Sequence, residues 1–216
     1  MKRTLSLLIA FLAALSCLFL SGCARRTTPV KDLSYEIVDN TVVIKGYLGD
    51  DKQVVIPETI EGVKVVTIGE NAFADSEVES VILPDSIMEI GDDAFQDCKN
   101  LKTVQLPEKL KTIGMGAFAE CSNLTEVKLP EKLKTIGWAA FAGCSNLTEV
   151  TIPENVTSLE YFAFANCEKL RSVTMSDELY QQLQLGNSIL ADIFSGCPDD
   201  LLVNGQPVPK NLSFRF

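Results

Sequence analysis

Hydrophobic and polar positions recur along this chain with a fixed spacing, and residues 124–146 show the unit most clearly. Residues 126–129 alternate polar and apolar side chains, which is the period of a half-buried strand. Pro130 follows and ends that strand, because proline lacks an amide hydrogen. Residues 133–136 suit a second short strand before a glycine turn, and residues 139–144 predict a helical or 3₁₀ turn.

The unit repeats every 23 residues, so it defines the architecture of the chain. Three of its motif positions keep this period: Pro84, Pro107, Pro130 and Pro153; Phe95, Phe118, Phe141 and Phe164; Cys98, Cys121, Cys144 and Cys167. A period of 20 to 29 residues with leucine-rich motifs predicts a leucine-rich-repeat solenoid. One copy alone buries too little apolar surface to offset the entropy of ordering it, so its stability must come from neighbouring copies.

The predicted fold is therefore a repeat solenoid: a right-handed leucine-rich-repeat rod with parallel β ladders and short helical or 3₁₀ corners. We divide the chain into a signal peptide (1–22), a lipidated tether (23–33), an N-terminal cap hairpin (34–53), repeats of about 23 residues (54–175) and an atypical last repeat with a C-terminal cap (176–216).

The two ends depart from the repeat, as the terminal units of a solenoid must, since they close the open ends of the core. At the N-terminal end, Asp39-Asn40 predicts a hairpin turn, and the first repeat carries a four-residue insertion around Glu61-Gly62. At the C-terminal end, residues 178–185 have the apolar spacing of a short amphipathic helix, and Asn204-Gly205 predicts a second hairpin.

The first 23 residues have the features of an export signal. Lys2 and Arg3 precede an apolar run, and Leu-Ser-Gly-Cys at positions 20–23 resembles the bacterial lipobox. That resemblance implies that Cys23 is acylated and becomes the first residue of the mature protein. The alternative is an uncleaved transmembrane anchor, because the apolar run approaches the length of a membrane span.

The repeats also resemble a known family through the motifs L-x-x-V-x-L-P, I-G-x-x-A-F and the trailing cysteine. They are similar to the BspA-like, or treponemal, class of bacterial leucine-rich repeats over roughly residues 34–197. The resemblance implies a surface protein that adheres to other proteins or cells. Together with the lipobox, it leads us to expect a lipid-anchored, surface-exposed protein of the bacterial cell envelope whose partner is a host or envelope protein. It implies no catalytic activity and no cofactor. The alternative function is a structural scaffold that holds another envelope protein.

Charge and composition agree with a binding protein more than with a nucleic-acid binder or an enzyme. The formal charge is −10, and removal of Lys2 and Arg3 with the signal leaves −12, whereas nucleic-acid binding requires a basic patch. The chain has no histidine, which removes the commonest general base and metal ligand.

The cysteines beyond Cys23 predict buried structural thiols, because all five share one motif position inside the stack. One disulfide near an end is the alternative. Zinc binding is disfavoured because cysteines 23 residues apart cannot converge around one ion. Asp92-Asp93 and Asp199-Asp200 could suggest calcium, but neither pair has the dense ligand spacing of a calcium loop, which favours solvated turns.

The predicted binding face follows from strand alternation. If the valine and leucine positions point inward, their neighbours form two exposed rows on what should be the longest and stiffest ladder. These are Thr103, Glu126 and Glu149, and then Gln105, Lys128 and Thr151. Trp138 on the corner is the competing contact point, and its alternative role is packing against a neighbouring coil.

Overall fold

The structure is a computed structural model that describes residues 27–185 and 189–208. The expected signal peptide and the lipidation site Cys23 lie outside the described residues. Within them the chain winds into a β solenoid, and each turn of the chain, called a coil here, adds one rung to parallel ladders of strands. The repeat fold inferred from the 23-residue period is thus confirmed.

A ladder of short strands runs without a break along one side, and we call it the continuous ladder. It begins at an antiparallel hairpin and proceeds in parallel register, pairing for example Ile90 with Ile113. Its strands in spatial order are β1 (Leu33–Val38), β2 (Thr41–Tyr47), β5 (Val63–Ile68), β7 (Glu89–Ile90), β9 (Thr112–Ile113), β10 (Thr135–Ile136) and β12 (Ser158–Leu159), with β4 (Thr59–Ile60) paired to β5.

A second ladder, formed by the valine strands, is split into two sheets, and we call it the interrupted ladder. The first sheet contains β3 (Gln53–Val55), β6 (Ser80–Ile82) and β8 (Thr103–Gln105). The second contains β11 (Glu149–Thr151), β13 (Ser172–Thr174), β14 (Leu202–Val203) and β15 (Gln206–Pro207). No strand forms at residues 125–129, where the alternation of side chains predicted one. This corrects both the predicted strand and the expectation that the binding rows lie on the longest ladder.

The corners of the coils form a stacked aromatic core. Phe95, Phe118, Phe141 and Phe164 lie nearly parallel, with ring centroids 5.1 to 5.2 Å apart, and none has measurable exposure. Hydrogen bonds between residues three apart, such as Cys121 N to Phe118 O, tighten each corner into 3₁₀-like turns. Offset stacks of this kind contribute beyond the apolar area that they bury.

The cysteines lie beside this aromatic stack and bind to it. Cys98, Cys121, Cys144 and Cys167 are fully buried and free, and each thiol contacts the carbonyl of the phenylalanine in the preceding coil. For example, the thiol of Cys144 donates to Phe118 O at 3.3 Å. Burial raises the pKa of Cys121 and Cys144, because a thiolate would lose its hydration there. The predicted structural role of these cysteines is confirmed.

An antiparallel hairpin and two short helices lie at the two ends of the stack. The turn between β1 and β2 places Asp39 and Asn40 at positive φ, and the inserted residues Glu61 and Gly62 make a similar turn between β4 and β5. At the other end, helix α1 (Asp177–Leu185) buries Leu179, Tyr180 and Leu183. Helix α2 (Ile189–Ile193) leads into Phe194, whose ring continues the aromatic stack. No described helix has the length and apolar character needed to cross a membrane.

Part of the expected tether is not free. Val30–Asp32 forms one 3₁₀ turn, and Leu33 already belongs to β1. Thr28 is buried; its amide donates to Val55 O at 2.8 Å, and its hydroxyl accepts from Val55 N at 3.0 Å. These contacts fix residues 28–33 to the first coil, which corrects the expectation that a tether extends to residue 33.

Candidate functional site

The side chains expected to bind a partner all point to solvent. Strand alternation buries Val104, Val127 and Val150 and exposes their neighbours on both sides. The exposed set contains every residue expected on this face: Thr103, Gln105, Glu126, Lys128, Glu149 and Thr151. The prediction of which side chains point inward and which point outward is therefore confirmed. The backbone that carries the outward rows differs from the expectation, because residues 125–129 form no strand.

The backbone of residues 125–129 makes no hydrogen bond to either neighbouring coil among the described residues. On its two sides, β8 pairs only with β6, and β11 pairs only with β13. We call this unpaired segment, together with the facing edges of β8 and β11, the ladder gap. Residues on either side of it are bonded to neighbouring coils: Asn146 Nδ2 donates to Ser122 O at 2.7 Å, and Lys134 N donates to Lys111 O at 2.9 Å.

The interruption coincides with a change of charge along the outward row. A closed ladder would set Glu126 directly beside Glu149, and like charges directly opposite each other destabilise strand pairing. In the paired coils the same row places Ser80 beside Thr103, and Glu149 beside Ser172. This pair of carboxylates lies on the side facing β11; the side facing β8, where Thr103 would meet Glu126, has no charge conflict.

A cleft of about 420 Å³ opens at the β8 side of the ladder gap. Its walls combine apolar side chains at the base with polar and charged groups at the rim: Thr103, Val104, Gln105, Leu106, Glu108, Glu126 and Lys128. Four of the expected partner-binding residues are in this set, so the structure brings Thr103, Gln105, Glu126 and Lys128 together. Glu149 and Thr151 lie on the far side of the gap, on β11.

The paired part of the same face shows what the gap lacks. Glu79 accepts hydrogen bonds from Lys102 at 2.8 Å and forms an ion pair with Lys52 at 3.2 Å, so one carboxylate links three successive coils. The hydrogen bonds from Lys102 and Lys52 hold the pKa of Glu79 below its usual value. No ion pair links Glu126 or Lys128 to a neighbouring coil among the described residues.

Trp138 lies on a different surface, the corner that follows β10. Its side chain is 47 % exposed, and its ring meets Phe162 edge-on with centroids 5.9 Å apart. Phe162 has φ near 59°, an unusual conformation for a bulky residue. Trp138 therefore combines the two roles weighed from the sequence: it packs on the next coil and still presents a face to solvent. A signal for this conformation was present and missed: the equivalent positions in earlier coils are Asn71, Asp93 and Gly116, residue types that adopt positive φ readily, and all three do so.

The described residues contain no group of three or more side chains arranged to hold a metal ion. Asp92 instead accepts a hydrogen bond from the backbone amide of Met115 at 2.7 Å, and Asp93 occupies a left-handed turn. A further cleft of about 440 Å³ lies between β12 and α1 and is lined by residues 157–161 and by the cap residues Leu179, Gln182, Leu183 and Ile189. It contains none of the residues predicted from the sequence.

Comparisons with known proteins agree with this architecture. Residues 66–198 match the family described as "BspA type Leucine rich repeat region", in six copies. No curated protein sequence matches the chain. Among solved structures, a leucine-rich-repeat protein of T. pallidum is 34 % identical with a TM-score of 0.68, and the alignment covers 69 % of this chain and 71 % of that one.

Two further structures are similar over more of this chain. A leucine-rich-repeat protein of Bacteroides ovatus is 32 % identical, with a TM-score of 0.65 over 82 % of this chain and 46 % of that one. A leucine-rich cell surface protein of Faecalibacterium prausnitzii is 28 % identical, with a TM-score of 0.65 over 85 % of this chain and 51 % of that one. The chain thus spans about half the length of these two relatives.

Proposed function

The chain belongs to the BspA-type leucine-rich-repeat family, and from that premise we propose that it is a lipid-anchored binding module exposed on the bacterial cell envelope. In this proposal Cys23 carries the lipid, and the interrupted ladder binds a host or envelope protein. Leucine-rich-repeat proteins generally mediate protein interactions, and the similar F. prausnitzii protein is described as a cell surface protein.

One observation supports the binding role above the others. The two outward rows differ in charge from coil to coil, while the core beneath them repeats almost without change. Four members of the rows meet in one cleft, with hydrogen-bonding, acidic and basic groups in reach of a single ligand. Specific interfaces combine a buried apolar base with a polar rim, and this cleft has both.

The scaffold alternative has its own supporting observation. Because Thr28 is fixed to the first coil, only a few residues separate Cys23 from the folded solenoid. Five residues span at most about 18 Å when fully extended. A lipidated Cys23 would hold the N-terminal end of the rod against its membrane, where another envelope protein is the nearest partner.

The anchor is tested by replacing the lipidated residue. Cys23→Ala should abolish incorporation of radiolabelled fatty acid and shift the protein out of the detergent phase, because the acylated thiol is lost. Cys197→Ala is the matched control, since Cys197 is half-buried in the folded C-terminal region. Equal labelling of the Cys23→Ala protein and the wild type would disprove the anchor.

The binding face is tested by four serine substitutions at Gln105, Glu126, Lys128 and Glu149. Exposed substitutions cost no more than about 0.5 kcal/mol each, so the protein should fold but fail to capture its partner from envelope or host-cell extracts. The control variant replaces Glu131, Lys132 and Glu154, which are also exposed. Like Glu126, Lys128 and Glu149, they are two acids and one base. Full capture by the four-serine variant, with loss in Trp138→Ser, would move the site to the corner.

Surface exposure separates the two functions. Protease added to intact cells should cleave the protein if it binds partners outside the cell. If intact cells protect the protein and permeabilised cells do not, an outside partner is ruled out and the scaffold function remains.

A further inference from the structure

Resting on the proposed binding role, we infer that the ladder gap takes an extended polypeptide segment with basic side chains, which adds as a strand to the free edge of β8. The recognition would combine main-chain hydrogen bonds with contacts to the acidic rim of the cleft. Strand addition at an exposed sheet edge is an established way for proteins to bind extended peptides.

The free main-chain groups are the first observation. In the paired coils, Ile56 N donates to Ile82 O at 3.0 Å, and Ile152 N donates to Thr174 O at 2.8 Å. Leu106 occupies the equivalent position in the coil of β8, and its amide, like that of Leu83 in the paired coil of β6, has no backbone partner among the described residues. What distinguishes β8 is that its edge toward residues 126–128 pairs with no strand. The edge of β8 therefore presents unpaired hydrogen-bonding groups, which form a template for another strand.

The second observation is the space beside that edge. The cleft of about 420 Å³ lies directly between β8 and residues 126–128, within the size range of ligand pockets. Val104 and Leu106 form an apolar base, and each is 9 % exposed, in contrast to full burial for the phenylalanine stack. Apolar side chains of an added strand could therefore bury surface against this base while its backbone pairs with β8.

The charge around the cleft indicates that the side chains of the bound segment that do not face the apolar base are basic. Glu108 and Glu126 line the cleft, Glu149 follows on β11, and Lys128 is the one base among the lining residues. An extended segment with basic residues at alternate positions places them on one side, toward these carboxylates. A second copy of this chain fits less well, because its formal charge of −10 makes copies repel one another.

The test uses a synthetic seven-residue peptide of alternating valine and lysine, blocked at both ends and labelled for fluorescence anisotropy, with the full chain in detergent micelles. Two modified peptides carry N-methyl groups on alternate residues. In the first peptide the methyl groups block the amides of one backbone edge, and in the second they block the amides of the other edge. Only one edge can pair with β8, so one modified peptide should bind at least about tenfold more weakly, while the other stays within about twofold of the parent.

The protein variant Glu126→Thr with Lys128→Gln is the complementary test. It gives the gap coil the residues that the paired coil carries at Thr103 and Gln105. A threonine pair across neighbouring coils, as between Thr174 and Thr151, favours pairing on the β8 side, so the ladder should close there and peptide binding should fall at least about tenfold. The control, Glu131→Thr with Lys132→Gln, exchanges the same residue types outside the cleft and should bind like the wild type.

Three results would overturn this inference. Equal binding of both methylated peptides would show that charge alone attracts the peptide. Unchanged binding to the Glu126→Thr, Lys128→Gln variant would place the peptide elsewhere. A dimer in sedimentation together with no peptide binding would make the occupant a second copy. If the four-serine variant still loses its partner in any of these cases, the proposed binding face stands and only strand addition fails.

Discussion

The phenylalanine corner and the ladder gap are formed by the same repeat, yet they differ in how fully neighbouring coils are joined. At the corner, Phe118 N donates to Ala140 O at 2.7 Å, the rings stack, and the thiol of Cys144 closes the contact. At the gap, the same two coils share no main-chain hydrogen bond between Thr103–Gln105 and residues 126–128.

This difference shows that the two sides of a solenoid can be specified independently. Buried and nearly invariant side chains hold the coils in register at the corner, so the other side tolerates variation without loss of the fold. Exposed rows that vary from coil to coil can then change charge, and where like charges meet, pairing weakens. Binding surface and scaffold are thus separated within a single repeat.

The largest expected effect comes from weakening the corner. Phe118→Ala should lower the free energy of unfolding by about 3–5 kcal/mol, because it leaves a cavity in a fully buried ring stack. Val127→Ala at the gap should cost roughly 1.5 kcal/mol, as expected for two buried methyl groups. Urea unfolding measures both costs, and a cost of Phe118→Ala no larger than that of Val127→Ala would contradict full burial of the Phe118 ring.

A smaller effect is expected where coils approach each other most closely. A Cβ added at Gly137 would lie 2.7 Å from the backbone carbon of Gly114, so Gly137→Ala should cost about 1–3 kcal/mol through overpacking. Gly46→Ala is the control, because its added Cβ would meet Ser34 at an ordinary 3.5 Å. Thermal unfolding should separate the two variants, and equal melting temperatures would contradict the close approach.

Closing the gap should stabilise the protein slightly. Glu126→Thr with Lys128→Gln removes the like-charge neighbour of Glu149, and cross-strand pairs of this kind contribute about 0.2–1 kcal/mol. The gain should shrink in high salt, because exposed charges are screened. Chemical denaturation at low and high salt measures it; a loss of stability at low salt would show that repulsion does not hold the gap open.

The smallest effect concerns the ionic link on the paired side. Because the native pKa of Glu79 is lowered by Lys102 and Lys52, its contribution is fully present above the unfolded pKa of about 4.3. That contribution is lost as the pH falls through the lower native pKa. Glu79→Gln should therefore reduce stability at neutral pH and match the wild type in strong acid. A difference that persists unchanged into strong acid would exclude the ionic link as its cause.

The sequence predicted the features that repeat and missed those that depend on differences between copies. The spacing of phenylalanines and cysteines was enough to predict the buried stack, and Asp39-Asn40 and Asn204-Gly205 were enough to predict both hairpins. Each of these signals is local or periodic, so it can be recognised without knowing the three-dimensional contacts.

The ladder gap could not be predicted, because Glu126-Val127-Lys128-Leu129 alternates as the paired copies do. The 23-residue period shows which residues meet across coils, such as Glu126 and Glu149, but it does not show whether their backbones come close enough to pair. The contact between Thr28 and Val55 was missed for a similar reason: a polar segment was taken for a tether, although its hydroxyl and amide complete the first coil. The exposed rows were predicted correctly, but their binding role stays a prediction.

Amide hydrogen exchange tests the central contrast most directly, because it reports pairing residue by residue. The amides of Thr135 and Gly137, which donate to Lys111 O and Ile113 O in the continuous ladder, should exchange slowly. Those of Leu106 and residues 126–128 should exchange rapidly in the free protein, and the Leu106 amide should become protected when the valine-lysine peptide binds. Equally slow exchange at all of these amides in the free protein would contradict the account.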